Sequence, residues 1–314
     1  MNDWELKTPV AFIIFNRPHT TEKVFEVIRQ VKPPKLLIVA DGPRVDSSGE
    51  VEKCHAARAI IERVDWDCKV LKNYSETNLG CAWGPASGLN WVFDTVEEAI
   101  ILEDDCVPHP TFFRFCQDLL ERYRYDERIM TICGLNVQFG RRRTEDSYYF
   151  SRYNPCWGWA SWRRAWKYFD FDMKLWPKIQ DENFIGDLLL DDYAIKVWKA
   201  HFQNSYEGKV NAWDVQWNFA SLIQNSLAII PNVNLISNIG YGSGATHTIE
   251  EKSIYSNMPV EEISFPLQHP PFILRDVQAD EFTQNTFYDY QPPFLRKVRK
   301  KIKKILGLRH ELTL

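Results

Sequence analysis

Three consecutive carboxylates follow a short apolar run, and their types and spacing suggest chemistry more directly than any other stretch. Glu103, Asp104 and Asp105 end the run Ala99–Leu102, and Pro108 follows. Such a run is typical of a buried strand, and adjacent acids repel one another unless a cation or hydrogen-bond donors stabilise them. Open α/β sheets bind ligands at the carboxyl ends of their strands. The sequence therefore predicts a metal and nucleotide site here, with a solvated acidic turn as the alternative.

Two earlier apolar runs are also predicted to be strands, and each is followed by polar residues that suit a nucleotide. Asn16 and Arg17 follow Pro9–Phe15, and Asp41 follows Leu36–Ala40. Arginine pairs well with phosphate, and a carboxylate accepts a hydrogen bond from a base N–H. Taken singly, a surface salt bridge and a turn aspartate are the simpler explanations.

Two later segments contain further candidate residues. Asp214 lies between Trp213 and Trp217, and burial between indoles would raise its pKa and suit it to act as a general base. The alternative is a helix N-cap with the tryptophans in the core. His247 lies in the segment Ser243–Thr248, where a neutral imidazole suits Mn²⁺ as well as Zn²⁺. A lone histidine in such a loop is more often structural.

Composition and motifs exclude several classes of protein. At 314 residues, with 45% hydrophobic and 25% charged residues, the chain can form one large globular domain. Seven cysteines without a Cys-x-x-Cys pair indicate reduced thiols and a cytoplasmic protein. No secretory signal or membrane-spanning apolar run is visible. Up to Leu295 there are 30 basic against 41 acidic residues, which argues against nucleic-acid binding. No dinucleotide-binding, P-loop, nucleophile-elbow or zincin motif occurs.

Strands and helices alternate over the first 105 residues. This order predicts an α/β fold with a Rossmann-like, mostly parallel sheet covered by helices on both faces. The predicted helices are about Thr20–Val31, Ser47–Val64, Trp83–Thr95, Phe112–Tyr123, Asp191–Phe202 and Trp213–Ile223, and the further strands are Val70–Leu71, Ile129–Ile132 and Leu227–Ile230.

Taken in chain order, the segments between residues 9 and 248 resemble GT-A type nucleotide-sugar glycosyltransferases. The resemblance implies that Arg17 and Asp41 bind a uridine diphosphate, that Asp104 lies beside the ribose, and that Asp105 binds Mn²⁺ or Mg²⁺. The full set that it assigns to the nucleotide-sugar is Asn16, Arg17, Asp41, Gly80, Glu103 and Asp104.

The same resemblance implies roles for the second half of the chain. Asp214 matches the catalytic base of an inverting enzyme, although some relatives have two acids there. His247 matches a histidine that completes the metal shell. Trp157, Gly158 and Trp159 match the glycine-containing loop on the acceptor side.

The function expected from this resemblance is metal-dependent transfer, with inversion, of a sugar from a UDP-sugar to a hydroxyl of a cell-envelope glycan or glycolipid. The layout is most like that of inverting N-acetylglucosaminyltransferases and of bacterial polysaccharide transferases. One alternative is a nucleotidyltransferase that makes nucleotide-sugars, although the chain lacks a Gly-rich basic loop after its first strand. Another is a non-catalytic glycan-binding or membrane scaffold protein.

The predicted organisation is a glycosyltransferase domain over 1–290, divided into 1–108, 109–250 and 251–290, and a basic tail over 291–314. From Arg296 to Arg309 the tail has eight Lys or Arg and no acid. Its apolar residues have helical spacing, which predicts an amphipathic helix that binds anionic lipid through residues 294–306 on the cytoplasmic face of the membrane. A helix docked on the acidic body and a disordered basic end are the alternatives. The apolar residues are Leu295, Val298, Ile302, Ile305 and Leu306.

Overall fold

The structure is a computed structural model that describes residues 4–189, 192–241 and 253–288. His247 and the basic tail lie outside the described residues. No helix in the part of the chain that is described is both long enough and apolar enough to cross a membrane.

The strands are β1 (Val10–Ile14), β2 (Lys35–Ala40), β3 (Lys69–Tyr74), β4 (Glu98–Glu103), β5 (Cys106–Pro108), β6 (Ile129–Cys133), β7 (Tyr148–Ser151), β8 (Trp159–Trp162), β9 (Leu227–Pro231) and β10 (Ile236–Asn238). The helices are α1 (Pro18–Val31), α2 (Glu50–Ile61), α3 (Gly80–Thr95), α4 (Thr111–Arg122), α5 (Arg163–Trp166), α6 (Trp176–Asp181), α7 (Ile185–Leu188), α8 (Asp192–Tyr206), α9 (Asp214–Ile223) and α10 (Val277–Thr286).

Eight of these strands form one sheet in the order β3-β2-β1-β4-β8-β6-β9-β7. The four strands of the first half, β3, β2, β1 and β4, are all parallel. Antiparallel pairings appear only beyond β4, where β8 pairs with both β4 and β6 and where β7 pairs with β9. The predicted α/β class with a mostly parallel sheet is confirmed. Because the chain moves outward from β1 to β3 and then returns to place β4 on the other side of β1, the ends of β1 and β4 form a topological switch point.

The predicted elements of the first half occur with shifted ends. Helix α1 begins at Pro18 and not at a threonine cap, because proline at the first helical position needs no N–H partner. Helix α2 begins after Gly49, whose φ of +74° suits glycine, and ends at Ile61. Strand β3 is longer than the two residues predicted, because it pairs with β2 along its whole length.

The sheet separates two hydrophobic cores, and the residues of β4 alternate between them. Ile100 and Leu102 pack in the core that contains α1 and α4, whereas Ala99 and Ile101 pack in the core that contains α3 and α9. This period of two is what a strand covered on both faces requires. The next residue in the alternation, Glu103, therefore lies on the face of α3 and α9.

Four indoles pack together beneath the start of α9. The Trp159 ring centroid is 5.7 Å from that of Trp213 and 5.9 Å from that of Trp217, and Trp166 is 5.1 Å from Trp217. All four side chains are buried. Large aromatic rings stabilise a core through both buried area and ring geometry, so this cluster fixes the position of α9 against the sheet.

Helix α10 packs over β7 and brings a carboxylate into the interior. Asp280 is 4% exposed and accepts hydrogen bonds from Ser151 Oγ at 2.6 Å and from the Arg152 N–H at 3.3 Å. A nitrogen of Arg275 lies 3.9 Å from its second oxygen. Burial raises the pKa of Asp280 from 3.8 to about 6, although these partners oppose the increase.

The raised pKa predicts a specific dependence of stability on pH. Because the folded protein holds the Asp280 proton more tightly than the unfolded chain, the stabilisation from protonated Asp280 is complete below pH about 4 and is lost as pH rises through about 6. Relative to Asp280→Asn, the wild-type free energy of unfolding should fall by on the order of 3 kcal/mol between pH 4 and pH 8. Urea unfolding across this range measures it, with exposed Asp172→Asn as the control. A difference that does not change with pH would refute the prediction.

Candidate active site

The acidic segment lies at the carboxyl end of β4, beside the end of β1, as predicted. Arg17 donates from Nη2 to Asp104 Oδ1 at 2.5 Å and from Nη1 to Asp105 Oδ2 at 2.9 Å. The N–H of Phe15 donates to Asp104 Oδ2 at 3.2 Å, so both oxygens of Asp104 have partners. Burial raises the pKa of Asp104 to about 6, although Arg17 opposes the increase. The guanidinium of Arg17 therefore compensates two acids at once.

Glu103 faces the opposite side of the sheet from this ion pair. Its side chain is partly buried, and among the described residues no hydrogen bond lowers the pKa of its carboxyl. Burial, followed by the negative charges of Asp105 and Asp104, raises the pKa of Glu103 to about 8, and Asp214 adds to the increase. A raised pKa favours the protonated carboxyl, which can donate as well as accept a hydrogen bond.

Asp41 lies at the end of β2 and caps the amino end of α3. Its Oδ1 accepts from the N–H groups of Leu79 at 2.7 Å and Gly42 at 2.8 Å. Its Oδ2 accepts from Asn78 Nδ2 at 2.9 Å and from the N–H of Gly80 at 3.1 Å. A carboxylate has about four acceptor positions, so these donors saturate it. In this state a base N–H can bind Asp41 only by displacing one of the donors.

A small pocket with a mixed polar and apolar lining adjoins Asp41, between the ends of β2 and β3 and the first turns of α3. Gly84 and Gly88 of α3 line it and allow the helix to approach β2 closely. A Cβ at Gly88 would lie 2.2 Å from Val39 Cγ1, so this position requires glycine. The polar lining residues are Asp41, Asn73, Ser75 and Ser87.

Asn211 links the amino end of α3 to the segment that leads into α9. Asn211 Oδ1 accepts from the N–H of Ala82 at 3.2 Å, and its backbone oxygen accepts from Cys81 Sγ at 2.8 Å. Asp214 follows three residues later as the first residue of α9. The first turn of α3 thus lies between Asp41 on one side and the segment before Asp214 on the other.

Asp214 is exposed, which corrects the expectation that indoles bury it. Trp213 is the N-cap residue, and both it and Trp217 turn into the core, so the aromatic rings do not enclose the carboxylate. Negative charge at the start of a helix is favourable, because the helix dipole is positive at that end. The structure brings Asp214 to the same side of the sheet as Glu103, whose pKa it influences.

Of the three residues predicted on the acceptor side, only Trp157 has exposed surface to contact a ligand. Its ring is partly buried and packs edge-to-face with Tyr241 at 6.0 Å. Trp159 is fully buried in the core, which contradicts its predicted role. Gly158 is also buried, with a φ of +58°, and a Cβ there would lie 2.3 Å from Ile236 Cδ1. Its requirement for glycine comes from packing.

Asn16 is directed away from the acidic segment. Its Nδ2 donates to Glu50 Oε1 at 2.7 Å, and Glu50 also pairs with Arg44. The hydrogen bonds from Arg44 lower the pKa of Glu50 to about 2. Asn16 is therefore part of a partly exposed ion-pair network that fixes the loop after β2, and no sequence pattern indicates the pairing of Arg44 with Glu50.

The residues present fit a divalent cation at Asp105. Among the described residues no group of three or more His, Cys, Asp or Glu side chains is placed to hold a metal. Mg²⁺ at phosphate sites is usually bound by one or two carboxylates together with substrate oxygens and waters, so a single carboxylate is sufficient. Asp104 Oδ1 and Asp105 Oδ2 both contact the Arg17 guanidinium, so the acidic pair is already arranged to bind a positively charged group. The predicted role of His247 stays a prediction.

Sequence reasoning missed two residues that complete the site. Asn211 bridges α3 and the segment before Asp214, and an isolated asparagine in a loop carries no recognisable signal. Gly240 lies against the acidic pair, since a Cβ there would be 2.0 Å from Asp105 Oδ2 and 2.8 Å from Arg17 Nη1. In the sequence, the position of Gly240 after Asn238 and Ile239 indicates only a loop.

Comparisons with known proteins identify structural similarity alone. No protein-family model matches the sequence, and no curated protein matches it. Among solved structures, the chain is similar to the mannosyltransferase PcManGT from Pyrobaculum calidifontis in complex with GDP-Man and Mn²⁺, with 14% identity, a TM-score of 0.37, and coverage of 52% of this chain and 47% of that one. It is also similar to an apo UDP-glucose pyrophosphorylase, with 10% identity, a TM-score of 0.37, and coverage of 75% and 94%.

A third similar structure is mouse xyloside xylosyltransferase 1, with 9% identity, a TM-score of 0.34, and coverage of 69% of this chain and 81% of that one. The chain spans less than half the length of the mannosyltransferase. All three are enzymes that use or make nucleotide-sugars, the class that the sequence resembles. At such identities and TM-scores these similarities say nothing about substrate, metal or reaction, so function is inferred from the chain's own residues.

The helix-capping role of Asp41 predicts a loss of stability on substitution. Asp41→Ala leaves the N–H groups of Gly42, Leu79 and Gly80 without this acceptor, which should cost roughly 1–3 kcal/mol in the free energy of unfolding. Asp46→Ala, at an exposed position in the same loop, should change it by less than about 0.5 kcal/mol. Urea unfolding of both variants measures the difference. Equal stabilities would show that Asp41 does not cap α3.

Proposed function

We propose that the chain is a metal-dependent glycosyltransferase that uses a nucleotide-sugar donor and inverts the anomeric carbon. The observation that carries the proposal is the grouping of Arg17, Asp104 and Asp105 at the switch point of the sheet, with Glu103 and Asp214 on the adjacent face. An anion-binding guanidinium, a carboxylate that can bind a cation and a separate exposed carboxylate are the parts that such a transfer needs.

The donor half of the site would bind the nucleoside diphosphate. Arg17 would donate two parallel hydrogen bonds to phosphate oxygens, a geometry that suits its planar guanidinium. Asp105, together with the predicted ligand His247, would hold Mn²⁺ or Mg²⁺. When bound, that ion supplies Lewis-acid stabilisation of the charge on the leaving diphosphate. Asp104 is proposed to contact the ribose, and Glu103 to hydrogen-bond a donor hydroxyl.

The acceptor half would supply the proton acceptor. Asp214 takes a proton from an acceptor hydroxyl, whose oxygen forms a bond to the anomeric carbon as the bond from that carbon to the diphosphate oxygen breaks. Attack opposite to the leaving group inverts the configuration. A positioned general base typically contributes 10²–10⁴-fold. Trp157 offers an aromatic surface for an acceptor sugar. A UDP-sugar donor, a cell-envelope glycan or glycolipid acceptor and binding of residues 294–306 to anionic lipid remain proposals from the sequence.

Donor binding provides the first test. Nucleotide-sugars are added to the full chain with Mn²⁺ or with EDTA, and binding is followed by thermal shift and calorimetry. At least one UDP-sugar should bind only with the metal, and Asp105→Asn should lose this binding because it removes the cation's carboxylate. Asp118→Asn, on the outer side of α4, is the control. If no nucleotide-sugar binds under either condition, or if Asp105→Asn binds normally with metal, the proposal fails.

Turnover provides the second test. Asp214→Asn should reduce the rate of transfer, or of donor hydrolysis where the acceptor is unknown, by about 10²–10⁴-fold and leave donor affinity within about twofold, because the residue acts on the acceptor proton. Exposed Asp172→Asn should retain wild-type turnover. An Asp214→Asn variant that keeps most of its activity would exclude Asp214 as the base. Formation of pyrophosphate from a nucleoside triphosphate and a sugar phosphate would instead identify a nucleotidyltransferase.

A further inference from the structure

The cation that compensates the acidic pair in this structure belongs to the protein itself. Arg17 contacts Asp104 and Asp105 at 2.5 and 2.9 Å, and its side chain is only 25% exposed. An arginine guanidinium stays positive at every accessible pH, so Arg17 keeps its charge throughout. Arg17 thus occupies one of the two carboxylate oxygens of Asp105, the proposed metal ligand.

The backbone beside Gly240 encloses the same oxygen from a second direction. The N–H of Ile239 donates to the backbone oxygen of Asp105 at 2.8 Å. This brings Gly240 so close that a Cβ would lie 2.0 Å from Asp105 Oδ2. The other oxygen, Oδ1, lies 3.4 Å from the buried thiol of Cys106. A cation can therefore reach Oδ2 only if the guanidinium of Arg17 moves away.

Displacement of Arg17 has different consequences for the metal alone and for the metal with a diphosphate. A metal alone would replace the guanidinium at Asp105 but leave Arg17, a partly buried charge, without its acidic partners. A diphosphate alone would draw Arg17 away and leave three adjacent carboxylates beside a new anion. When both bind, the metal compensates the acids and the diphosphate compensates Arg17, so no charge loses its partner.

We propose that Arg17 is an internal substitute for the metal ion and makes the binding of metal and nucleoside diphosphate strongly interdependent. Arg17 exchanges its partners, the acidic pair for the diphosphate, only when both ligands arrive. This inference rests on the proposed function for the identity of the anion, but the displacement of Arg17 by metal does not require catalysis. Coupling between two ligands bound at distinct sites is commonly 5–150-fold, and the effect expected for these two neighbouring ligands is of that order.

The test measures Mn²⁺ affinity in the full chain from the loss of the free-ion electron paramagnetic resonance signal. In the wild type, saturating UDP should increase Mn²⁺ affinity by at least about tenfold. Arg17→Met should bind Mn²⁺ without UDP at least about tenfold more tightly than the wild type, and UDP should then add little. Arg17→Lys, which keeps the charge but not the planar fork, should lie between the two.

Two controls test whether the change in Mn²⁺ affinity is specific to Arg17 and to the site at Asp105. Arg143→Met removes an arginine of similar exposure that pairs with Asp276, and it should leave Mn²⁺ affinity unchanged. Adding Asp105→Asn to Arg17→Met should abolish the gain, which assigns it to this site. The proposal is overturned if Arg17→Met and Arg17→Lys, both folded by near-UV circular dichroism, bind Mn²⁺ alone no more tightly than the wild type. If UDP never binds, the proposed function fails, but the comparison of Mn²⁺ affinities still decides whether Arg17 excludes the metal.

Discussion

The concentration of negative charge at the end of β4 is the constraint on which the rest of the site depends. Two neighbouring carboxylates are buried together, and a third faces the other side of the same strand. Desolvation makes such an arrangement unfavourable unless cations compensate it, and one guanidinium provides only part of that compensation. Burial raises the pKa of both Glu103 and Asp104, and Arg17 opposes the increase without cancelling it. A site in this condition favours ligands that bring positive charge.

The amino end of α3 organises the other half of the site. Its first N–H groups, which no helix can satisfy internally, are bound by Asp41 from β2 and by Asn211 from the segment before α9. The same few residues thus connect the central sheet to the position of Asp214. Because the helix also approaches β2 closely at Gly88, its position is restricted from several directions. Asp41, which the sequence predicts to contact a nucleotide, mainly accepts hydrogen bonds that hold the start of α3 in place.

The sequence was informative where function depends on the ends of central strands. An apolar run followed by acids fixes both the strand and the edge of the sheet at which those acids lie, so Arg17, Asp104 and Asp105 could be placed together in advance. The direction in which individual side chains point was harder to predict from the sequence. Trp159 and Asp214 were predicted to have the reverse of their observed exposure, because β8 and the start of α9 lie in a region without a clear hydrophobic period. Contacts between distant loops, such as Asn211 with α3 or Gly240 with Asp105, have no local signal at all.

The four closely packed indoles beneath α9 have a consequence for spectroscopy. Trp213 immediately precedes Asp214, and its ring lies 5.7 Å from that of Trp159 and 6.2 Å from that of Trp166. Aromatic rings at such separations couple their electronic transitions, and that coupling depends steeply on distance and orientation. Trp159 is held by the sheet, whereas Trp213 would follow any movement of the start of α9. The near-ultraviolet circular dichroism of the protein should therefore change when the start of α9, and with it Asp214, moves.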